Sequence, residues 1–292
     1  MASSISLKYK ITFVATKLLM LMISPERGNK FLPRMNAKLK FEGGVKRERT
    51  VIGGVGCDVF TAIGSPDKKT LLYIHGGGFV YGQTPMHLNY CAMLSERLKM
   101  RVIAIDYSLK PYPAGLNDCF SVYRHVLNKG AKPKDIAVAG DSAGGCYTLT
   151  LLLKLKEQKL PLPAAAVCIS PCVSGEDSGF DRTITDPMLP HRACLMFSAR
   201  YRGGADPKNP LISPIYGDFA GMPPILIYSG ERETLLTSVK AFAERAKREG
   251  WNIAHKVVPH MFHIFPIYTD IREGKQATDE IIGFLNERLD EI

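Results

Sequence analysis

From about residue 50 onward the sequence alternates short apolar runs with longer amphipathic stretches, and this alternation limits the fold more than any other feature. After the first two, the runs are rich in β-branched or aliphatic residues and mostly apolar on both faces, as buried parallel strands are. Eight runs qualify: Arg49 to Ile52, Asp58 to Ile63, Thr70 to Ile74, Arg101 to Ile105, Ile136 to Ala139, Ala164 to Ser170, Ile225 to Ser229 and Ile253 to Val258. The first two, separated by the glycine-rich stretch 53–56, are predicted to form a hairpin.

Helix-like segments separate most of the later runs. They are His87 to Lys99, Leu116 to Lys129, Gly144 to Gln158, Leu235 to Gly250 and Lys275 to Leu289. This order predicts an α/β fold, a mostly parallel sheet with helices on both faces. The long gap between Ser170 and Ile225 holds a further helical stretch, Arg192 to Tyr201. Together with residues 1–45, that gap is the best candidate for a cap outside the sheet.

The net positive charge of the chain is concentrated in its first 50 residues. The first 50 residues hold eleven basic and three acidic side chains, so they carry +8 of the formal net charge of +10. Such asymmetry suggests an anionic partner, either nucleic acid or a membrane surface. The apolar stretch Ile11 to Ile23 is too short to span a bilayer, which needs about 20 residues. We expect it to form an amphipathic helix that lies over the body of the protein.

The seven cysteines are odd in number and scattered along the chain, without a C-x-x-C pair or the spacing of zinc ligands. This pattern is typical of reduced thiols in the cytoplasm, and it indicates no metal site.

Ser142 stands in a pattern that predicts a reactive hydroxyl. The run Ile136 to Ala139 leads directly into Gly140-Asp141-Ser142-Ala143-Gly144, and a helix is predicted to follow. A serine on so tight a strand-to-helix turn needs glycine on either side, because a Cβ there would collide with the neighbouring backbone. The alternative is a glycine-rich turn in which the serine only caps the helix.

A second glycine-rich segment favours the reactive interpretation. His75-Gly76-Gly77-Gly78 follows the run Thr70 to Ile74 and brings unhindered backbone N–H groups to the same edge of the sheet. Two of these groups, together with the N–H of Ala143, would stabilise the oxyanion of a tetrahedral intermediate. A phosphate site is not favoured, since neither a following Lys-Ser or Lys-Thr nor a G-x-G-x-x-G pattern is present.

A serine needs a base, and that base needs a carboxylate to orient it. Two histidines, His260 and His263, fall in the loop after the run Ile253 to Val258, where a side chain can reach the carboxyl edge of the sheet. Two glutamates, Glu231 and Glu233, follow the preceding run. The order serine, acid, histidine is that of α/β-hydrolases. Position alone does not separate the two histidines or the two glutamates.

The chain resembles the hormone-sensitive-lipase-like family of α/β-hydrolases, whose esterases carry an H-G-G-G signature. The resemblance runs over nearly the whole length and rests on ordered blocks: His75 to Phe79, Asp106 to Pro111, Gly140 to Gly145, Asp186 to Leu189, Asp206-Pro207 with Ser213-Pro214, and Met222 to Pro224. It implies an α/β-hydrolase core over residues 46–292, with residues 1–45 and 173–215 forming a helical cap.

The resemblance also assigns roles to the site residues. It implies Ser142 as nucleophile, His263 as base and Glu233 as acid, since the family's histidine precedes an apolar-Phe pair and its acid follows a glycine by three residues. The implied oxyanion donors are the N–H groups of Gly77, Gly78 and Ala143, and His75, Gly76 and Asp141 complete the two motifs. Glutamate replaces the aspartate of many members, which lengthens the acid by one methylene.

The function implied is that of a serine carboxylic-ester hydrolase without a cofactor, acting on small acyl esters of short to medium chain. Lactone or amide hydrolysis by the same triad is an alternative, and a non-catalytic small-molecule binder is disfavoured because His263 is present. The family's cap would place apolar side chains over the pocket: Phe13, Leu18, Leu21, Met22, Met188 and Phe197. Within this interpretation the basic first 50 residues form cap surface; nucleic acid is not expected as a partner, membrane contact is not favoured, and a monomer or homodimer is expected.

Overall fold

The computed structural model of the chain describes residues 25–41, 44–65, 68–184, 186 and 188–290. In this part of the chain eight strands form one sheet. They are β1 (Val45–Ile52), β2 (Val55–Ala62), β3 (Thr70–Ile74), β4 (Arg101–Ile105), β5 (Ile136–Asp141), β6 (Ala165–Ile169), β7 (Ile225–Gly230) and β8 (Ile253–Val258).

The strand order is β1-β2-β4-β3-β5-β6-β7-β8. Strands β1 and β2 form an antiparallel hairpin, and β2 pairs with β4 in the antiparallel sense as well. All later pairings are parallel. The carboxyl ends of β3, β5, β6, β7 and β8 therefore meet at one edge of the sheet, where ligands bind in open α/β folds.

Seven α-helices occur within the described residues. They are α1 (Pro25–Ala37), α2 (Pro85–Leu98), α3 (Ala114–Asn128), α4 (Ala143–Glu157), α5 (His191–Arg202), α6 (Leu236–Arg248) and α7 (Arg272–Asp290). Helices α2 and α7 cover one face of the sheet, and α3, α4 and α6 cover the other. In the described part of the chain, no helix combines the length and the apolar character needed to cross a bilayer.

Successive side chains of a strand point to opposite faces of the sheet, and in the central strands both sets are buried under helices. On β3, Leu71 and Tyr73 pack toward α2 and α7, whereas Leu72 and Ile74 pack toward α3 and α4. All five residues of β3 are buried. A strand that is apolar on both faces stabilises the fold only when helices remove both faces from water.

The predicted α/β architecture is confirmed, and the departures are local. The hairpin turn is shorter than the predicted stretch 53–56, since β2 already begins at Val55. The turn consists of Gly53 and Gly54, and both adopt positive φ angles, +60° and +85°. Such two-residue turns match the twist of the flanking strands. Strand β8 is an edge strand and only half-buried, unlike the strands at the centre of the sheet. The helix predicted over Ile11 to Ile23 lies outside the described residues.

Candidate functional site

Ser142 lies on the sharp turn between β5 and α4, at the carboxyl edge of the sheet. Its backbone adopts φ 52° and ψ −115°, a conformation that residues with a Cβ rarely take. Its N–H donates to the carbonyl of Ile169 over 2.8 Å, and its carbonyl accepts from Cys172 over 3.2 Å. The turn is thus tied to the end of β6, which compensates for the unfavourable dihedral angles.

The two glycines around Ser142 are required by close backbone contacts. A Cβ on Gly140 would overlap the carbonyl of Gly144, and a Cβ on Gly144 would overlap the carbonyl of Ile74 on β3. Helix α4 therefore begins so close to β5 and β3 that only glycine fits at either position. The G-x-S-x-G pattern of the sequence reflects this packing.

His263 and Glu233 come together with Ser142. The imidazole Nε2 of His263 lies 2.9 Å from the Oγ of Ser142, and its Nδ1 lies 3.5 Å from the Oε2 of Glu233. Glu233 is fully buried in the loop after β7, and His263 is 5% exposed in the loop after β8. Loops at the ends of three different strands therefore form one line of serine, imidazole and carboxylate.

Ser170, which sequence reasoning did not select, connects the acid to the histidine loop. Its hydroxyl donates to Oε1 of Glu233 over 2.7 Å and accepts the N–H of Ile264 over 2.9 Å. Oε1 also accepts the N–H of Gly230. The carboxylate is therefore held from two sides, and only Oε2 is left to face His263. No motif marks Ser170, because its partners are distant in sequence.

The other glutamate and the other histidine form a separate surface pair. The carboxylate of Glu231 accepts the N–H of His260 over 2.8 Å and stands 3.6 Å from its Nδ1. Their side chains are 51% and 74% exposed. The structure therefore removes both from the serine, an outcome that their sequence positions did not decide.

Burial and charge act in opposite directions on the buried pair. Burial lowers the pKa of His263, but the hydrogen bond and the charge of Glu233 outweigh burial, so this pKa is raised above 6.5. Burial is also the largest influence on Glu233, and it raises the pKa of that carboxyl although His263, Ser170 and Gly230 act to lower it.

The glycine-rich loop after β3 lies beside this line. Gly77 and Gly78 have φ angles of +118° and +58°, which glycine adopts readily. The backbone N–H groups of Gly77, Gly78 and Ala143 make no hydrogen bond to any group among the described residues. Ala143 is the first residue of α4, where an N–H has no acceptor within the helix.

The carboxylate of Asp141 joins the glycine loop to the serine turn. It accepts the N–H of Gly76 over 3.0 Å and the hydroxyl of Tyr73 over 2.8 Å, and Nε2 of His87 lies 3.3 Å away. Burial raises the pKa of Asp141, but the charge and hydrogen bond of His87, together with the Tyr73 hydroxyl, more than offset burial and the pKa is lowered. His87, on α2, was not selected from the sequence as a site residue; here it holds the carboxylate that fixes the loop.

His75 supports the loop from within the protein. Its ring stacks on Tyr107 at a centroid distance of 4.3 Å, and its carbonyl accepts the Tyr107 hydroxyl over 3.0 Å. Burial lowers the pKa of His75 to about 4, so the ring is neutral at pH 7. Its Nδ1 lies 2.6 Å from the carbonyl oxygen of Gly76, whereas its buried Nε2 has no hydrogen-bond partner among the described residues.

Two helices outside the sheet border the glycine loop. Phe197 on α5 lies so close to Gly78 that a Cβ on this glycine would overlap its ring, and the same ring packs edge-on against Tyr81. An ion pair of 3.1 Å between Glu26 and Arg200 joins α1 to α5.

Of the predicted lining residues, Phe197 adjoins the site. Met188 packs against the hydrophobic core, and Phe13, Leu18, Leu21 and Met22 lie outside the described residues.

The chemical capacity of the site follows from these groups. Among the described residues, no group of three or more His, Cys, Asp or Glu side chains is arranged to hold a metal ion. A serine hydroxyl hydrogen-bonded to an imidazole, which in turn faces a buried carboxylate, is suited to attack a carbonyl carbon. Free N–H groups beside the serine are suited to stabilise the oxyanion that this attack forms.

Known proteins resemble this chain in sequence and in fold. A family described as having an α/β-hydrolase fold matches residues 71–267. An acetyl-hydrolase of Streptomyces hygroscopicus is 34% identical over 75% of this chain and 76% of its own length. An esterase of Acinetobacter venetianus is 33% identical over 74% of each chain.

The crystal structure of an esterase from the bacterial hormone-sensitive lipase family superimposes with a TM-score of 0.89. It is 32% identical, and the match covers 99% of this chain and 100% of that one. Ser142, Glu233 and His263 follow β5, β7 and β8 at the carboxyl edge of the sheet, where ligands bind in open α/β folds. The chain therefore belongs to the α/β-hydrolases, among the hormone-sensitive-lipase-like members of that family.

Proposed function

We propose that this protein is a serine carboxylic-ester hydrolase with Ser142 as nucleophile, His263 as general base and acid, and Glu233 as the orienting carboxylate. The observation that carries the proposal is the hydrogen-bonded line from Glu233 through His263 to Ser142. Relatives named acetyl-hydrolase and esterase support the ester as the bond attacked. A role in binding alone is disfavoured, because the base is present within hydrogen-bond distance of the serine.

Acylation starts when the Oγ of Ser142 attacks the ester carbonyl carbon and its proton passes to Nε2 of His263. The C=O π electrons move onto the carbonyl oxygen, which the N–H groups of Gly77, Gly78 and Ala143 receive. The imidazolium faces the carboxylate of Glu233, which stabilises its charge. The C–O bond to the alcohol then breaks as His263 returns the proton to the leaving oxygen.

Deacylation repeats these steps with water. His263 takes a proton from water, the hydroxyl oxygen attacks the acyl carbon, and the bond to Oγ breaks as the proton returns to Ser142. The products are a carboxylic acid and an alcohol. Each proton moves between groups on the chain, the substrate and water, so the cycle needs no cofactor.

The substrate class we propose is a small acyl ester of short to medium chain length. The support comes from Phe197, which lies against Gly78, and from Tyr81, which lies against Gly77 and packs edge-on on Phe197; the two rings narrow the space beside the proposed oxyanion site. No observation favours a lactone or an amide over an open ester. A cytoplasmic location and a monomeric or homodimeric state remain predictions.

Hydrolysis of p-nitrophenyl esters from acetate to palmitate tests both parts of the proposal. We expect the largest kcat/KM at short to medium chains, and a phosphonate inhibitor is expected to attach to the Ser142 peptide, as peptide mass spectrometry would show. Attachment to a different residue would disprove the assignment of the nucleophile. A maximum at palmitate would disprove only the proposed preference for short to medium acyl chains and would leave the assignment of the nucleophile unchanged.

The pH dependence follows from the charge state of His263. The base must be neutral, and the pKa of His263 is raised above 6.5 by Glu233, so kcat/KM is expected to fall with an apparent pKa above 6.5 as the pH decreases. In Glu233→Gln the carboxylate charge is lost while burial still lowers the pKa, so the acidic limb should move to lower pH. The measurement is kcat/KM from pH 4 to 9 for both proteins. A limb that stays in place would show that Glu233 does not set this pKa.

A further inference from the structure

Asn29 on helix α1 makes two hydrogen bonds to the segment that follows the glycine loop. Its Nδ2 donates to the carbonyl of Val80 over 2.8 Å, and its Oδ1 accepts the N–H of Gly82 over 3.0 Å. Both ends of the amide are used, and a flipped amide would set donor against donor and acceptor against acceptor. The side chain is therefore fixed in one orientation, and it clamps the backbone on both sides of Tyr81.

The clamped segment forms the second half of a tight turn that begins in the glycine loop. The N–H groups of Val80 and Tyr81 both donate to the carbonyl of Gly77, over 3.1 and 2.9 Å. This carbonyl and the N–H of Gly78 belong to the same peptide unit. Because a trans peptide is planar, its C=O and N–H point in opposite directions. Holding the carbonyl of Gly77 on one side therefore fixes the N–H of Gly78 on the other.

The turn needs an external restraint. Gly77, Gly78 and Phe79 have positive φ angles in succession, and Phe79, at +64°, carries a Cβ that disfavours this region. Such a conformation persists only where the surroundings determine it. Asp141 holds the loop at Gly76, before the turn, and Asn29 holds it at Val80 and Gly82, after the turn.

We propose that Asn29 is a positioning residue for the oxyanion site: from α1 it restrains the turn that aims the N–H of Gly78. This inference rests on the proposed function, since Gly78 is an oxyanion donor only in that mechanism. Asn29 touches no reacting atom. Its loss is expected to weaken stabilisation of the tetrahedral oxyanion while leaving binding of the uncharged ester nearly unchanged.

Two variants of similar size test the role. Asn29→Leu removes both hydrogen bonds, and Asn29→Asp keeps the acceptor for Gly82 but sets a carboxylate oxygen against the carbonyl of Val80. Loss of a whole oxyanion donor costs about 10²- to 10³-fold in rate, so misorienting one is expected to lower kcat by roughly 10- to 100-fold. KM for p-nitrophenyl butyrate should stay within about threefold.

Inhibition by a trifluoromethyl ketone distinguishes misplacement of the oxyanion donor from a general loss of stability. Its hemiketal with Ser142 places an oxyanion in the site, so Ki should rise in both Asn29 variants by a factor similar to the loss in kcat. The matched control is Asn36→Leu, because the buried amide of Asn36 on the same helix donates to the carbonyl of Gln83 over 2.9 Å, beyond the turn. We expect this variant to lower Tm as much as Asn29→Leu does, with kcat and Ki within about twofold of the wild type.

Two outcomes would overturn the inference. If kcat and Ki of the Asn29 variants stay within about twofold of wild type, the clamp does not aim the donor. If Asn36→Leu loses as much kcat as Asn29→Leu, docking of α1 in general is responsible. Ser142→Ala, measured in parallel, separates these failures from failure of the proposed function: a Ser142→Ala protein that remains active would disprove the mechanism itself.

Discussion

Replacing Ser142 with Ala is expected to lower kcat for p-nitrophenyl butyrate by about 10⁶-fold, the scale found when the serine nucleophile is removed from such a triad. The substitution deletes the Oγ that lies 2.9 Å from Nε2 of His263 and leaves the backbone turn in place. Without Oγ no acyl-enzyme can form. Residual hydrolysis would come only from water in a site that still binds the ester and its oxyanion.

Thermal unfolding and inhibitor labelling control this experiment. Alanine keeps the Cβ, and the hydrogen bonds that tie the turn to β6 are made by the backbone of residue 142. We therefore expect Tm to stay within a few degrees of the wild type, and the phosphonate to no longer attach. Activity above a tenth of the wild type would contradict the assignment of Ser142.

Glu233→Gln is expected to lower kcat by about 10³- to 10⁴-fold, which is the scale of losing the orienting acid in a serine triad. The contacts of Glu233 explain why so conservative a change matters. Ser170 and Gly230 both donate to Oε1, so the oxygen of glutamine will occupy that position. The NH₂ group of the glutamine then faces Nδ1 of His263, so Nδ1 must accept a hydrogen bond from it. The single proton of the neutral imidazole is then on Nε2, which faces Ser142. Histidine in this tautomer cannot act as the base.

Glu231→Gln is the matched control, since it makes the same substitution two residues away. This carboxylate is 51% exposed and pairs with His260 at the surface. We expect kcat and KM within about twofold of the wild type at pH 8. If the Glu231 variant were the crippled one and Glu233→Gln remained active, the choice of acid would be wrong.

The sheet could be predicted from the sequence because its strands are buried on both faces. β3 and β4 were predicted with the bounds that the structure has, since each is an apolar run bounded by polar residues. Helix ends were less accurate: α2 begins at Pro85 and α3 at Ala114, each two residues before the predicted start. Helix α2 opens with a proline, which suits the first turn of a helix but can equally precede one, and α3 opens with the small residues Ala114 and Gly115, so neither start carries a strong apolar signal.

The sequence by itself determined the α/β-hydrolase fold and the turn that carries Ser142, because close backbone packing demands glycine at fixed positions and burial demands apolar strands. Which glutamate and which histidine meet that serine was open from the residues, although the family resemblance favoured Glu233 and His263. Tertiary structure brings these two together with Ser142 and pairs Glu231 with His260 at the surface. The hydrogen bonds of Asn29, His87 and Ser170 join residues that are 51, 54 and 94 positions apart in the sequence. Contacts over such separations leave no local pattern in the sequence.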